Sequence, residues 1–204
     1  MSLAGVLSYQ GGYARHLECL KKVGVRAIPV RSVDALERID ALIIPGGEST
    51  TIGMLMERFG VMRALVSRIA DGFPVFGTCA GAILLASDIE DSDQPRIGAL
   101  DMTVRRNAYG RQIESFEADV RAELPGVRRA DDPSGPEWTG EAFHGVFIRA
   151  PQIVRVGHGV QTVLAFEGQP VLVRERNLLA ATFHPELADD HRIHRYFLEQ
   201  VAGL

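Results

Sequence analysis

The stretch Phe76-Gly77-Thr78-Cys79-Ala80-Gly81 decides how the chain is organised. The apolar residues that lead into it are typical of the end of a buried strand, and the apolar run 80–86 predicts a helix that begins at once. Cys79 therefore lies in the turn between strand and helix, within a Gly-x-Cys-x-Gly pattern. This pattern is the thiol form of the nucleophile elbow, in which small neighbours allow a sharp turn that holds one side chain above the sheet.

Two interpretations of Cys79 are open on this pattern alone. The free N–H groups and the positive dipole end of the following helix favour a thiolate, the reactive form of a cysteine. An ordinary buried cysteine fits the same residues, because free cysteine is among the most buried residue types. A partner histidine has to decide between a nucleophile and a packing residue.

Strands and helices alternate through the first half of the chain. Apolar runs at 3–8, 25–30 and 41–44 predict strands, and helical spacing of apolar residues follows the first and third of them and recurs at 61–70. This alternation predicts an α/β fold with a doubly wound, mostly parallel sheet flanked by helices, of the flavodoxin-like kind. Ligands of such sheets bind at the carboxyl ends of the strands. Ser49 or Thr50 is expected to cap the helix after the third strand.

The second half of the chain consists mainly of strand-like segments joined by short turns. They predict antiparallel additions to the sheet or a small second sheet. These segments are 101–106, 115–120, 142–149, 153–156, 162–167, 171–176 and 178–183. A loop-like insertion is expected at 131–136, and a final helix over about 188–201, with Ile193, Phe197 and Val201 on its apolar face. No linker divides the chain, so we expect a single domain over residues 1–204.

Composition limits the classes of function. Hydrophobic residues make up 46% and charged residues 24% of the chain, as in globular proteins. A net charge of -4 gives no electrostatic reason to expect nucleic acid or an anionic membrane as partner. Apolar runs are too short to span a membrane and no basic region precedes the first of them, so we expect a cytoplasmic protein. The two cysteines, Cys19 and Cys79, form no Cys-x-x-Cys pair, and we interpret Cys19 as packing on a helix.

A second candidate for chemistry is the segment His184-Pro185-Glu186, which follows an apolar strand. Residues i and i+2 of an extended segment point to the same side, so His184 and Glu186 are expected to project together, with Pro185 stiffening the backbone. A carboxylate that orients an imidazole, whose other nitrogen faces a thiol, gives a Cys-His-Glu triad with Cys79 as nucleophile. Taken alone, the segment fits a strand-ending turn equally well.

The loop Gly46-Gly47 is the third candidate. Adjacent glycines after a buried strand let the backbone approach a ligand and turn its N–H groups inward, as an oxyanion hole requires. The loop lacks the Gly-x-x-x-x-Gly-Lys pattern, so a phosphate cradle is disfavoured. A plain strand-to-helix turn also fits.

Together these segments resemble the class I, triad-type glutamine amidotransferases, and within them the glutaminase subunits of pyridoxal 5'-phosphate synthase. The Cys elbow and His-Pro-Glu are shared by the wider class. Gly-Glu-Ser-Thr-Thr at 47–51 and Phe-Ile-Arg-Ala-Pro at 147–151 are specific to the vitamin B6 branch. The matching segments cover nearly the whole chain in the family's order: 45–51, 76–81, 106–107, 110–112, 115–117, 145–151 and 183–187.

The resemblance implies a reaction and roles for particular residues. Cys79 would attack the side-chain amide of L-glutamine to give a γ-glutamyl thioester and ammonia, His184 would carry the proton from thiol to leaving amine, and Glu186 would hold His184. Backbone N–H groups of Gly47 and Ala80 would form the oxyanion hole. An arginine suits the substrate's α-carboxylate, which its fork binds bidentately. The implied glutamine-binding residues are Gly46, Gly47, Glu48, Ser49, Arg106, Ile148 and Arg149. Without the resemblance, both arginines would be interpreted as surface charges.

The resemblance also implies a partner. The ammonia would pass to a separate synthase subunit, which combines it with a pentose phosphate and a triose phosphate, and neither a cofactor nor a metal is expected on this chain. The synthase would form a dodecameric ring with one glutaminase on each ring subunit. The glutaminase is expected to be nearly inactive alone, because its oxyanion loop is reorganised on docking. Gln10 is expected to face the synthase, although Ser8-Tyr9-Gln10-Gly11 departs from the usual Gly-Leu-Gln-Gly.

Other features and alternatives stay open. The insertion around 131–138 is longer than expected for the family, and His144 and His158 are interpreted as surface histidines. His191 and His194 lie three apart on the final helix, but no third ligand is evident, so a solvated face is the preferred interpretation. The alternative functions are a free-standing γ-glutamyl hydrolase, the glutaminase of another biosynthetic complex, and a non-catalytic regulatory subunit.

Overall fold

The computed structural model describes residues 2–106, 115–128 and 137–204, with backbone alone over 122–128 and 137–141. The strands are β1 (Leu3–Leu7), β2 (Arg26–Val30), β3 (Ala41–Ile44), β4 (Val75–Thr78), β5 (Ala86–Ile89), β6 (Leu100–Arg105), β7 (Ser115–Arg128), β8 (Glu137–Ile148), β9 (Gln152–Val156), β10 (Gln161–Phe166), β11 (Gln169–Glu175) and β12 (Leu178–Ala181). The helices are α1 (Tyr13–Lys22), α2 (Val33–Glu37), α3 (Ser49–Arg58), α4 (Val61–Ala70), α5 (Ala80–Leu85) and α6 (Arg192–Arg195). A 3-10 turn lies at Pro185–Leu187, and α6 continues as a π-helical segment at Tyr196–Ala202.

The central sheet has seven strands in the order β10-β11-β12-β4-β3-β1-β2. The five strands from β12 to β2 are parallel, and β11 and β10 add to the β12 edge in antiparallel orientation. All residues of β3, β4 and β12 are buried, as expected for parallel strands covered on both faces. The predicted α/β fold with a mostly parallel, doubly wound sheet and added antiparallel strands is confirmed.

Two apolar layers cover this sheet because successive strand residues point to opposite faces. Ile43 belongs to the layer that includes Leu20 of α1 and Phe197 of the last segment. Its neighbour Ile44 belongs to the other layer, which includes Met56 of α3 and residues of α4 and α5. The helices α1 and α6 therefore lie on one face of the sheet, and α3 to α5 lie on the other.

The added strands build a cover beside the carboxyl edge of the main sheet. β5, β6 and β9 form a three-stranded sheet, and β7 pairs with β8 as a long antiparallel hairpin. The hairpin register sets Ser115 opposite Ile148, and the backbone N–H of His184 donates to the carbonyl of Val146 at 2.8 Å. This bond ties β8 to the segment that follows β12.

Several local expectations were wrong or incomplete. The residue that caps α3 is Glu48, whose carboxylate accepts from the Thr51 N–H at 3.0 Å, whereas Ser49 and Thr50 turn their hydroxyls towards Gln94. The last helix begins at Arg192 rather than near residue 188. The 3-10 turn ends at Leu187, residues 188–191 are not helical, and the Asp190 carboxylate accepts from the Arg192 N–H at 3.1 Å. The short elements α2 and β5 were not predicted.

Two of the segments singled out from the sequence lie outside the part of the chain that the structure describes. The loop at 131–136 and the matching residues 107–112 lie outside the described residues, and the insertion to residue 138 has no described side chains. In the part of the chain that the structure describes, none of the helices has the length and apolar character needed to cross a membrane.

Candidate active site

Cys79 occupies a strained turn between β4 and α5. Its φ of 48° lies in the left-handed region, which a side chain other than glycine seldom adopts. A Cβ on Gly77 would lie 2.5 Å from the carbonyl carbon of Gly81, and one on Gly81 would lie 2.1 Å from the carbonyl oxygen of Ile44. Both glycines of the motif are therefore required by close backbone approach, and this approach holds the turn in which the thiol is presented.

The three candidate segments converge because they follow three adjacent parallel strands. β4 lies between β3 and β12, with Gly77 beside Ile44 and Thr78 beside Ala181. The chain leaves β3 into the Gly46-Gly47 loop, β4 into Cys79, and β12 into His184. The carboxyl ends of these strands meet at one edge, so the three segments meet there too.

His184 and Glu186 form the pair expected from the sequence. His184 Nδ1 lies 2.8 Å from Glu186 Oε1, and the Glu186 side chain is buried. The local geometry differs from the expectation, because Glu186 lies in the 3-10 turn rather than in an extended segment. The turn reverses the chain after His184, so the Glu186 carboxylate points back to the His184 ring.

The imidazole of His184 packs directly against the glycine loop. A Cβ on Gly46 would lie 2.3 Å from His184 Cε1, so a larger residue would displace the ring. A Cβ on Gly12 would lie 3.2 Å from Glu186 Oε1, and the Gly12 N–H donates to the Gly46 carbonyl at 3.1 Å. Glycines of two loops thus fix the positions of the histidine and its carboxylate.

The protonation of this cluster favours a charged histidine. Burial by itself would lower the pKa of His184, but hydrogen bonds to Cys79 and Glu186 raise it to about 10. Burial would likewise raise the pKa of Glu186, but His16 and His184 hold it below its usual value. Cys79 and Glu186 therefore both favour the charged form of the His184 imidazole.

His16 is a site residue that the sequence interpretation missed. It is fully buried on α1, with Nε2 at 3.3 Å from Glu186 Oε2 and 3.2 Å from the Thr78 hydroxyl. Its Nδ1 lies 3.0 Å from Nε2 of His194. A signal existed in the sequence, because His16 precedes Cys19 and Leu20 by three and four residues and so shares the buried face of α1.

A cavity of about 300 Å³ opens beside Cys79, His184 and Glu186. Its walls include nearly all of the residues singled out from the sequence. They are Gly46, Gly47, Glu48, Ser49, Cys79, Arg106, Ile148, Arg149, His184 and Glu186. Ala80 and Gln10 do not line it; Ala80 is the first residue of α5, so its N–H has no partner one helical turn earlier.

A model of the SNO glutamine amidotransferase family matches residues 6–203. The chain belongs to this family. It is 50% identical over 197 residues to the pyridoxal 5'-phosphate synthase subunit PdxT of Thermotoga petrophila, covering 97% of this chain and 98% of that protein. The PdxT of Thermus thermophilus is 50% identical over 204 residues, covering 99% and 98%.

Solved structures agree with the family. A crystal structure described as a glutamine amidotransferase has a TM-score of 0.87 and 46% identity, covering 98% of this chain and 99% of that one. PurLQS from Thermotoga maritima has a TM-score of 0.71 at 17% identity, covering 98% of each chain, and this likeness concerns the fold. The glutamine amidotransferase fold is therefore shown for this chain.

Arg106 in this glutamine amidotransferase is held by neighbours in the cavity wall. It donates to Gln94 Oε1 at 2.7 Å and lies 3.4 Å from Glu48 Oε1. Gln94 is a second residue that the sequence interpretation missed; it is buried and also accepts from the hydroxyls of Ser49 and Thr50. Arg149 is exposed at the cavity rim with a φ of 42°. The two arginines thus differ, one being anchored and the other open to solvent.

Gln10 contacts the glycine loop but does not line the cavity. Its side-chain oxygen accepts from the Glu48 N–H at 2.8 Å, although Gln10 itself is exposed. A Cβ on Gly47 would lie 2.7 Å from that oxygen. Anything that moves the Gln10 side chain therefore acts on the peptide next to Gly47.

The remaining histidines divide into two groups. His144 and His158 are exposed, as predicted, and His144 contacts Asp119 and Glu117 at 3.1 and 2.9 Å. The solvated face expected for His191 and His194 is wrong, since His194 is fully buried and the side chain of His191 is only 18% exposed. α6 packs that face onto α1 instead. Cys19 is buried there too, as predicted, and burial together with nearby Glu186 raises the pKa of its thiol to about 11.

Proposed function

We propose that this chain is a glutaminase subunit that hydrolyses L-glutamine to L-glutamate and ammonia for pyridoxal 5'-phosphate synthesis. The observation that carries the proposal is the convergence of Cys79, His184 and Glu186 on one cavity at the carboxyl edge of the sheet. The relatives named pyridoxal 5'-phosphate synthase subunit, which are 50% identical over almost the whole chain, support the pathway.

The first half of the reaction uses the charge of the triad. Cys79 attacks the amide carbon of glutamine, and the developing oxyanion accepts hydrogen bonds from the N–H groups of Gly47 and Ala80. His184 holds the thiol proton and donates it to the leaving nitrogen, so the C–N bond breaks and ammonia departs. Glu186 keeps His184 oriented and favours its charged form.

The second half restores the enzyme. Water attacks the γ-glutamyl thioester while His184 accepts one of its protons, the C–S bond breaks, and glutamate leaves with the regenerated Cys79. The raised pKa of His184 favours the charged imidazole, the form that holds the proton needed by the leaving nitrogen in the next turnover. No other group is needed for the protons to balance.

Charged residues at the cavity wall are proposed to hold the amino-acid end of glutamine. Arg149 at the rim binds the α-carboxylate through its fork, and Glu48 accepts from the α-ammonium group. Hydrogen bonds from Thr51 hold the pKa of Glu48 below its usual value in spite of partial burial, so it is ionised. Arg106 keeps Glu48 in place, and Ser49, Gly46 and Ile148 complete the wall.

The ammonia is proposed to pass to a synthase subunit. We propose the dodecameric ring with one glutaminase on each ring subunit, and a surface near Gln10 that faces the ring. Contact there would shift the hydrogen bond from Glu48 to Gln10 and so reorganise the loop at Gly47. The cytoplasmic location stays a prediction.

Glutamine hydrolysis measured with and without the matching synthase subunit tests this function. One oxyanion-hole donor contributes about 10²–10³ in rate, so completing the hole on docking is expected to raise the rate by roughly 10². Equal activity in both cases would indicate a free-standing γ-glutamyl hydrolase. No activity in either case would indicate a non-catalytic regulatory subunit.

Gly46→Ala tests the packing of the triad against the loop. The added Cβ would lie 2.3 Å from His184 Cε1, so the ring has to move. A displacement of about 1 Å can cost on the order of 10² in rate, and we expect a loss of that size in kcat/KM for glutamine in the complex. Gly159→Ala is the matched control, because its Cβ would lie 3.4 Å from Glu175 Oε1, far from the cavity. Full activity of Gly46→Ala would contradict this account of the site.

A further inference from the structure

We propose that Cys19, His191 and His194 form a zinc site that is separate from the catalytic cysteine. The Cys19 sulfur and one ring nitrogen of each histidine all lie within 4.8 Å of one another. A thiolate and two imidazoles are ligands that zinc prefers, and three protein ligands leave a fourth position for water. Cys19 lies on α1, His191 lies just before α6, and His194 lies on α6, so a bound ion would link the two helices. Cys79 is not part of this cluster.

Both histidines have an unused nitrogen in this cluster. His194 is fully buried and its Nε2 faces His16 Nδ1 at 3.0 Å. Its Nδ1 and the Nδ1 of His191 are buried and have no hydrogen-bond partner among the described residues. A buried polar atom without a partner is costly, and a cation bound at such a nitrogen would remove that cost.

The geometry leaves Nδ1 of His194 as the ring nitrogen that a metal can use. His194 Nε2 is engaged, because it lies 3.0 Å from His16 Nδ1. His16 Nε2 in turn lies 3.2 Å from the Thr78 hydroxyl and 3.3 Å from Glu186 Oε2. His194 Nδ1 has no such partner among the described residues, and an imidazole nitrogen of this kind can bind a metal through its lone pair.

Charged and polar groups surround the cluster. The carboxylate of Asp189 lies 3.9 Å from Nε2 of His191 and is paired with Lys22 at 3.0 Å. A ligand histidine is commonly oriented by a partner on its other ring nitrogen. His16 plays this part for His194. A surface cavity of about 150 Å³ is lined by Cys19 and His191, which provides a path for the ion and room for a bound water.

Binding of Zn²⁺ releases one proton, that of the Cys19 thiol. The Cys19 thiol loses its proton to solvent through the cavity as Zn²⁺ forms a bond to the sulfur, and two neutral imidazole nitrogens donate their lone pairs. No oxidant or reductant is involved. The consequence for the active site is a fixed orientation of the chain His194–His16–Glu186.

Cobalt binding to the full chain, freed of metal by a chelator, tests the site. Co²⁺ is used as a spectroscopic probe, and Zn²⁺ is then titrated to displace it. We expect one Co²⁺ per chain and an absorption band from charge transfer between sulfur and cobalt. Cys19→Ser is expected to lose this band, and Cys79→Ser is expected to keep it.

Two further variants keep the test decisive. His191→Ala is expected to weaken Zn²⁺ binding by at least ~100-fold, because loss of even an outer-shell partner costs about 10–100-fold. His158→Ala, an exposed histidine outside the cluster, is expected to bind as the parent chain does. Circular dichroism is used to check that each variant is folded. If Cys19→Ser does not fold, the Zn²⁺ affinity of His191→Ala decides the question. Failure of the parent chain to bind Co²⁺, a band that survives in Cys19→Ser, or one that is lost in Cys79→Ser would overturn the proposal, whatever the glutaminase activity.

Discussion

Replacing Cys79 with alanine is expected to abolish glutamine hydrolysis, with a loss on the order of 10⁵–10⁶ in kcat, as found when a hydrolase loses its nucleophile. The thioester cannot form without the sulfur, and the remaining groups do not replace it. The change removes one atom from a turn whose backbone is fixed by Gly77 and Gly81, so the fold is expected to persist. Ammonia release in the presence of the synthase subunit is the measurement.

Binding of Cys79→Ala to the synthase subunit is the control for this variant. The variant is expected to bind the synthase subunit as the parent chain does, since Cys79 is buried at the base of the cavity and only 7% exposed. Retained hydrolysis in a variant that still forms the complex would rule out Cys79 as the nucleophile. It would also remove the main support for the triad.

Glu186→Gln is expected to lower kcat by roughly 10⁴, as found for the orienting carboxylate of other triads. Glu186 Oε1 accepts from His184 Nδ1 at 2.8 Å, and the neutral amide favours the charged imidazole much less. The carboxylate helps to raise the pKa of His184 to about 10, so its removal lowers that pKa. The protonated form of His184 is then lost at a lower pH, and the basic limb of the activity profile is expected to move to lower pH.

The pH profile of kcat/KM separates this role from a structural one. A merely destabilised variant would lose activity without a displaced basic limb. Asp119→Asn is the matched control, because its carboxylate lies 3.1 Å from the exposed His144 and Asp119 does not line the cavity. An unchanged basic limb in Glu186→Gln would contradict the assignment of Glu186 as the residue that holds His184.

The fold could be predicted from the sequence where its pattern is local and strong. Apolar runs such as Ala41-Leu42-Ile43-Ile44 and the helix at 61–70 coincide with β3 and α4, because burial on both faces or on one stripe leaves a clear spacing of apolar residues. The element α2 has only five residues, which is too short to display a helical period. The true start of α6 was missed since it depends on the preceding turn and on Asp190.

The residues of the candidate site also fall into those that a local sequence pattern reveals and those that it does not. Cys79, His184 and Glu186 could be singled out because each belongs to a short motif with its own chemical logic, and the structure brings them to one cavity. His16 and Gln94 belong to no motif and act through neighbours that are distant in the chain. His194 was misjudged, because a helical pattern does not tell whether a polar face meets water or another helix.

The sequence by itself determined which residues stand at the ends of the apolar strands, and therefore that a thiol, an imidazole and a glycine loop share one edge of a parallel sheet. Only the tertiary structure decided that β4 lies between β3 and β12, which sets Cys79 beside His184. It also decided that α1 and α6 pack on the same face, which buries His16, His194 and Cys19 behind Glu186. The physical reason is that local patterns encode which surface of each element is buried, whereas the partner that buries it is chosen by packing of the whole chain.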